Sequence, residues 1–177
     1  YIFGINWTSY VLHASIFNGI ISLATYFLLR EFGLKIYYCF LYSLLFSLLG
    51  YTSSGTPFVD HHSTFFCLLA VYSLLFAIKK EKNIFWISIP IFLGFAFLSK
   101  QVPAFYIFLI LSIIIIIYSF TLKKIDPLKS IILGIILFIF FLILLIFFGG
   151  IKFESFINQY ILYPQSIGND RFSNFKP

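Results

Sequence analysis

The chain has 177 residues, 61% of them hydrophobic and 10% charged, against roughly 25% charged residues in soluble domains. So few polar residues cannot coat a core of this hydrophobicity, which excludes an ordinary soluble fold. The net charge of +6 comes from basic residues scattered over short loops, a distribution that argues against a nucleic-acid partner.

Uncharged runs occupy 1–29, 36–59, 61–78, 83–99, 101–122 and 130–151. A spanning helix needs about 17–25 mainly apolar residues, and every run reaches that length. The expected fold class is all-α: a polytopic transmembrane helical bundle of about six spanning helices plus a short interfacial helix. The strings IIIIIY at 113–118 and FIFFLILLIFF at 138–148 are apolar all round, as lipid-facing helices are. Residue 1 is tyrosine and the chain holds no methionine, so a piece of a longer protein is expected. Cys39 and Cys67 each fall inside an expected span and lack metal-ligand spacing.

Loop charges set the expected sidedness. Arg30 and Lys35 follow the first run, Lys79, Lys80 and Lys82 the third, and Lys123, Lys124 and Lys129 the fifth. These eight lie on one side, and the positive-inside rule makes that side cytoplasmic. The loop at 51–62 has no Lys or Arg and the next outer loop has only Lys100. The expected location is an integral membrane protein of the bacterial inner (plasma) membrane, with its site facing outward.

Thr56 and Pro57 read as a helix start, since threonine caps and proline suits the first helical position. A helix from 57 to about 78 would span roughly 33 Å. Asp60 then lies in its first turn, where the helix dipole favours a negative charge. The 83–99 run carries Pro90 and should deliver Lys100 to the same outer surface, with Pro103 in the first turn of the next helix. Two regions are expected: a transmembrane helical domain over 1–150, and an extracytoplasmic stretch over 151–177. In the latter, apolar residues at 153, 156, 157, 160 and 161 suggest a short interfacial helix ending before Pro164.

The polar residues converge on the outer face: Asp60, His61, His62, Lys100 and Gln101, with polar residues of the tail. An ionisable group at membrane depth marks a functional site by default. Lysine holds a phosphate as a point charge. A carboxylate can orient a hydroxyl, take its proton, or bind a metal that bridges to phosphate. The plainer reading is that Asp60 and the histidines only cap a helix at the interface and that Lys100 snorkels. Adjacent helix positions are 100° apart, so His61 and His62 cannot both share the face of Asp60. No His-x-x-x-His or paired-cysteine spacing exists, so no metal ligands are assigned and a divalent cofactor stays open. His13, alone in an apolar run, reads as a packed polar residue.

Asp60-His61-His62-Ser63 resembles the Asp-His-His-Cys of protein palmitoyltransferases, but Ser63 replaces the nucleophile and the zinc-binding cysteines are absent. Asn6-Trp7-Thr8 is formally a glycosylation acceptor, yet it lies too close to a span.

The order of elements over roughly residues 8–120 resembles the polytopic glycosyltransferases of the GT-C superfamily. The likeness is to the protein O-mannosyltransferase and lipid A aminoarabinose transferase group. There, a helix opening with Pro-Asp is followed by Gly-x-x-x-x-(Ser/Thr)-Lys-x-x-(Pro/Ala). Gly94, Ser99, Lys100 and Pro103 match the second pattern, and Asp60 takes the place of the first acid. Val59 before Asp60, and the two histidines after it, depart from the commonest form. The resemblance implies transfer of one sugar from a polyprenyl-phosphate carrier to a glycan, lipid or protein acceptor at the extracytoplasmic face. It implies that Asp60 helps bind acceptor, metal or donor phosphate and that Lys100 steadies the lipid phosphate. It also places the catalytic base in an outer loop that would precede Tyr1. Two other readings stay open. One is a proton-coupled transporter or flippase gated by Asp60 and His61. The other is an inactive scaffold on the same fold.

Overall fold

The computed structural model describes residues 6–50 and 59–167. Among them there is no strand. The helices run in the order α1 (Trp7–Glu31), α2 (Ile36–Leu49), α3 (Val59–Lys80), α4 (Asn83–Ser99), α5 (Gln101–Leu122), α6 (Asp126–Phe148) and α7 (Phe153–Ile157). Among the described residues, four helical stretches are long and apolar enough to cross a membrane: Trp7–Glu31, His61–Lys80, Gln101–Leu122 and Asp126–Phe148. The chain is thus an all-α polytopic membrane protein. Helices α2 and α4, with 14 and 17 residues, are shorter than these four. At 1.5 Å per residue they reach about 21 and 26 Å, against a hydrocarbon core near 30 Å. The expected helix start at Thr56 and Pro57 lies outside the described residues.

Side-chain chemistry at the ends explains where these helices stop and start. Asn6 caps α1, its Oδ1 accepting from the Ser9 backbone N–H at 2.8 Å. At the other end Gly33, with φ +88, lets Gly33 N–H reach Arg30 O and Leu34 N–H reach Leu29 O. That closure needs a left-handed residue, which glycine adopts without steric cost. α5 closes through the same pair of bonds, but with Lys123 at φ 51 in the glycine position. A side chain there costs on the order of 1 kcal/mol.

Up to Ile135 the helices form one unit. α1 and α3 run in the same direction, because His13 meets His62, Phe17 meets Phe66 and Thr25 meets Tyr72 in sequence. α4 returns antiparallel to α3: Phe66 stacks on Phe95 near one end, and Phe76 on Phe85 near the other. The core lies among α3, α4 and α5, where Ala70, Leu74, Ala77, Trp86, Ile89, Leu93, Leu111 and Ile115 are buried together. Lipid tails are as apolar as leucine, so helices in a bilayer associate through close packing and hydrogen bonds. The buried alanines serve the first need. Asn18, donating to Ser47 O at 2.8 Å, and the Thr25–Tyr72 hydroxyl pair at 3.0 Å serve the second.

α6 begins in this unit and approaches α4 at Gly134. A Cβ there would collide with Ile87 O and stand 2.6 Å from Pro90 Cγ. Only a residue without a side chain permits that contact.

The second unit starts at Ile136. In it α6 closes at Gly150 (φ +61), where Ile151 N–H bonds Ile146 O. α7 runs into a π-helical turn over Asn158–Leu162 and then into helical residues 163–167. The expectation that the helix ends before Pro164 is therefore overturned. Proline lacks an N–H, and its ring would clash with the carbonyl four residues back. The widened turn just before it, with Tyr163 N–H reaching Asn158 O, relaxes the ladder where proline enters.

Candidate active site at the start of α3

Charged loops collect at one end of the first unit. Lys80 pairs with Glu31 at 2.8 Å and Lys124 with Glu81 at 2.7 Å, tying the ends of α1, α3 and α5 together. Lys79 sits over the Phe32 ring at 5.6 Å. The hydrogen bond from Lys124 to Glu81 holds its ammonium above the ordinary lysine range. The opposite end holds the start of α1, the start of α3 and the corner between α4 and α5. His61, His62, Lys100 and Gln101 fall there, with the backbone of Asp60.

That corner is a single residue. Lys100 is extended (φ −156, ψ 126) and is at once the end of α4 and the start of α5. Its side chain is exposed, and its N–H bonds Ala96 O at 2.9 Å. Gln101 opens α5 and is half-buried.

Ser63, fully buried on the first turns of α3, meets this corner. Its hydroxyl lies 3.1 Å from Ala96 O and 3.1 Å from Lys100 O, sharing one proton between two carbonyls. A side-chain hydrogen bond joins it to Cys67 one turn on. Beneath, Cys67, Ala96 and Ala104 pack together, small enough for three helices to converge. Asp60 lies one turn before Ser63 on the same helix, as a backbone position of α3.

His62 turns the other way. Its Nε2 is 2.7 Å from Nε2 of His13 on α1, and the two rings stack with centroids 4.8 Å apart. Phe17 sits edge-on to His62 and to Phe66, closing the other side. Two imidazole nitrogens at this distance hold one proton between them, one ring donating and the other accepting. His61 is half-buried, with Nδ1 shielded from solvent.

The structure therefore brings Lys100, Gln101, His61 and His62 to one end, with the Asp60 position beside them. It does not bring His62 to Lys100: consecutive positions, 62 and 63, face α1 and the α4–α5 corner respectively. Two residues escaped sequence reasoning. His13 was set aside as a packed polar residue, and no local signal links it to His62, 49 positions away. Ser63 looked like a failed nucleophile; its signal was the small-residue spacing Ser63, Cys67 and Ala70 along one face. Among the described residues no three His, Cys, Asp or Glu side chains gather as metal ligands, and no step below is routed through a metal.

Compared with known proteins, residues 1–147 match the family model described as dolichyl-phosphate-mannose-protein mannosyltransferase. No curated protein and no solved structure matches the chain.

Proposed function

The chain belongs to the dolichyl-phosphate-mannose-protein mannosyltransferase family, of the GT-C type, and from that premise we propose that it works on a polyprenyl-phosphate-linked sugar at the outer membrane face. A glycan, lipid or protein hydroxyl is the acceptor. The observation that carries this reading is the contact of Ser63 with the Lys100 corner. It sets the first turn of α3, where Asp60 resides, against the exposed lysine between α4 and α5.

Each part has a chemical task. The Lys100 ammonium holds the donor phosphate as a point charge, both before and after the sugar leaves. Gln101 and the neighbouring imidazoles offer hydrogen bonds to sugar or phosphate oxygens. The polyprenyl chain stays in lipid along exposed apolar side chains such as Val102 and Phe105. Asp60 orients the acceptor hydroxyl and favours its attack on the anomeric carbon. As the glycosidic bond forms the sugar–phosphate bond breaks, and the lipid phosphate departs paired with Lys100, taking up the proton that the acceptor hydroxyl loses.

Transfer from a polyprenyl-phosphate sugar by the purified protein tests this. Asp60→Asn should reduce transfer to about a hundredth or less, the loss expected when an acceptor is no longer aligned for attack. Lys100→Ala should raise the donor KM about tenfold with a smaller effect on kcat. Full activity in Asp60→Asn would sink the reading. The His13–His62 pair is the one observation that favours a proton-coupled transporter instead. It lies near the helix ends, however, whereas transporter sites sit near the bilayer midplane in broken helices. Solute uptake by vesicles containing the protein, with no sugar transfer, would decide for that reading.

A further inference from the structure

We propose that the basic end of the first unit binds the headgroup of an anionic phospholipid, with Lys82 and Lys123 as its main cationic contacts. The inference goes beyond the transfer reaction and does not depend on it. At this end, where α1, α3 and α5 finish and α2, α4 and α6 begin, eight basic residues meet three acids. Each acid is already paired with a lysine: Glu31 with Lys80, Glu81 with Lys124, and Asp126 with Lys129 at 3.8 Å. Arg30, Lys35, Lys79, Lys82 and Lys123 therefore have no carboxylate partner among the described residues. All five are exposed, and only Lys79 turns to a ring, that of Phe32.

Insertion topology accounts for bases in these loops, but not for leaving them without counter-charge in the folded protein. Like charges gathered at one end repel, and the bilayer supplies an anion at this depth, the lipid phosphate. The Glu81–Lys124 bond draws the α3–α4 and α5–α6 turns together. Lys82 and Lys123 are the chain neighbours of that pair, so two ammonium groups without a carboxylate flank one salt bridge. Lys82 precedes α4 and makes no capping bond with its side chain. Both turns also set a charged residue where glycine would close the helix without strain, Glu81 at φ 53 and Lys123 at φ 51. Charge is thus held at these turns against a steric cost. Exposed Ile84, Phe120 and Ile125 stand beside them. Apolar side chains next to ammonium groups match the level at which headgroups give way to acyl chains, whereas a soluble anion would use the charges alone.

The test is lipid binding to the full chain in detergent, titrated with phosphatidylglycerol or with phosphatidylcholine and read by native mass spectrometry. Phosphatidylglycerol should bind about 10- to 30-fold more tightly, the preference that two bases near a headgroup provide. Lys82→Gln and Lys123→Gln should each weaken its binding about fivefold, and the double variant should lose most of the preference. Lys82→Arg combined with Lys123→Arg should keep it, because the charge is kept. Lys152→Gln, in the second unit, should leave it unchanged. The thermal midpoint of the double glutamine variant should stay within about 2 °C of the parent, since both side chains are exposed.

Equal binding of the two lipids would overturn the inference, as would an undiminished preference in the double glutamine variant. Displacement of phosphatidylglycerol by inorganic phosphate at constant ionic strength would overturn it too, by showing a site for free anions rather than for a lipid.

Discussion

His13 and His62 show what a polar pair does inside an apolar surrounding. Their Nε2 atoms are 2.7 Å apart and Phe17 packs against both rings. Each imidazole alone would bring an unmatched donor or acceptor toward lipid; together they satisfy one another. An interhelical bond of this kind is worth on the order of 0.6 kcal/mol. The check is a double-mutant cycle of His13→Leu, His62→Leu and both together, read from thermal unfolding in detergent. The two losses should be non-additive by roughly 0.5 kcal/mol or more. Strict additivity would mean the contact adds nothing to α1–α3 association. Neither histidine could be paired from sequence, since one sits in an apolar run and the other beside Asp60.

At the scale of elements, the close approach of α6 to α4 is decided by a missing side chain. Gly134 of α6 lies against the Ile87 carbonyl and Pro90 of α4, where any Cβ would collide. Backbone atoms cannot give way as a flexible side chain can. Gly134→Leu should therefore destabilise the protein by about 1–3 kcal/mol, the usual cost of overpacking. Chemical unfolding in detergent measures it; an unchanged midpoint would show that α6 does not seat there. The sequence offered Pro90 as a feature of the short fourth run, but nothing in it said which helix would pack against it. The tail teaches the converse. A proline signal read as a stop at Pro164 was overruled by a π-helical turn that makes room for the ring.

Across the whole of the first unit, charge is sorted by end. Glu31–Lys80 and Glu81–Lys124 bind three helix ends where the basic loops lie. Lys124 keeps its proton through the ordinary lysine range, so on the alkaline side the pair fades only as pH rises through its elevated value. The positive-inside rule predicts that this end is cytoplasmic and the Lys100 corner external. Both native cysteines are buried, so single introduced thiols report cleanly. Lys100→Cys should react with a membrane-impermeant maleimide on intact cells, and Lys82→Cys only after permeabilisation. The reverse pattern would place the corner in the cytoplasm and rule out transfer at the outer face.

By itself the sequence determined the class of the molecule. Its apolar runs are too long and its charges too few for any fold but membrane-crossing helices, because lipid forces each segment to satisfy its own backbone. Loop lysines marked the turns, and the spacing from Gly94 through Lys100 to Pro103 carried the likeness to a glycosyltransferase family. Only the tertiary structure decided which polar residues meet. His62 joins His13, while Ser63, its neighbour, joins Lys100. Helix periodicity says that neighbours point 100° apart, but not toward which partner helix. That choice follows from packing small residues such as Ala96 and Ala104 into contact, a property of three helices at once.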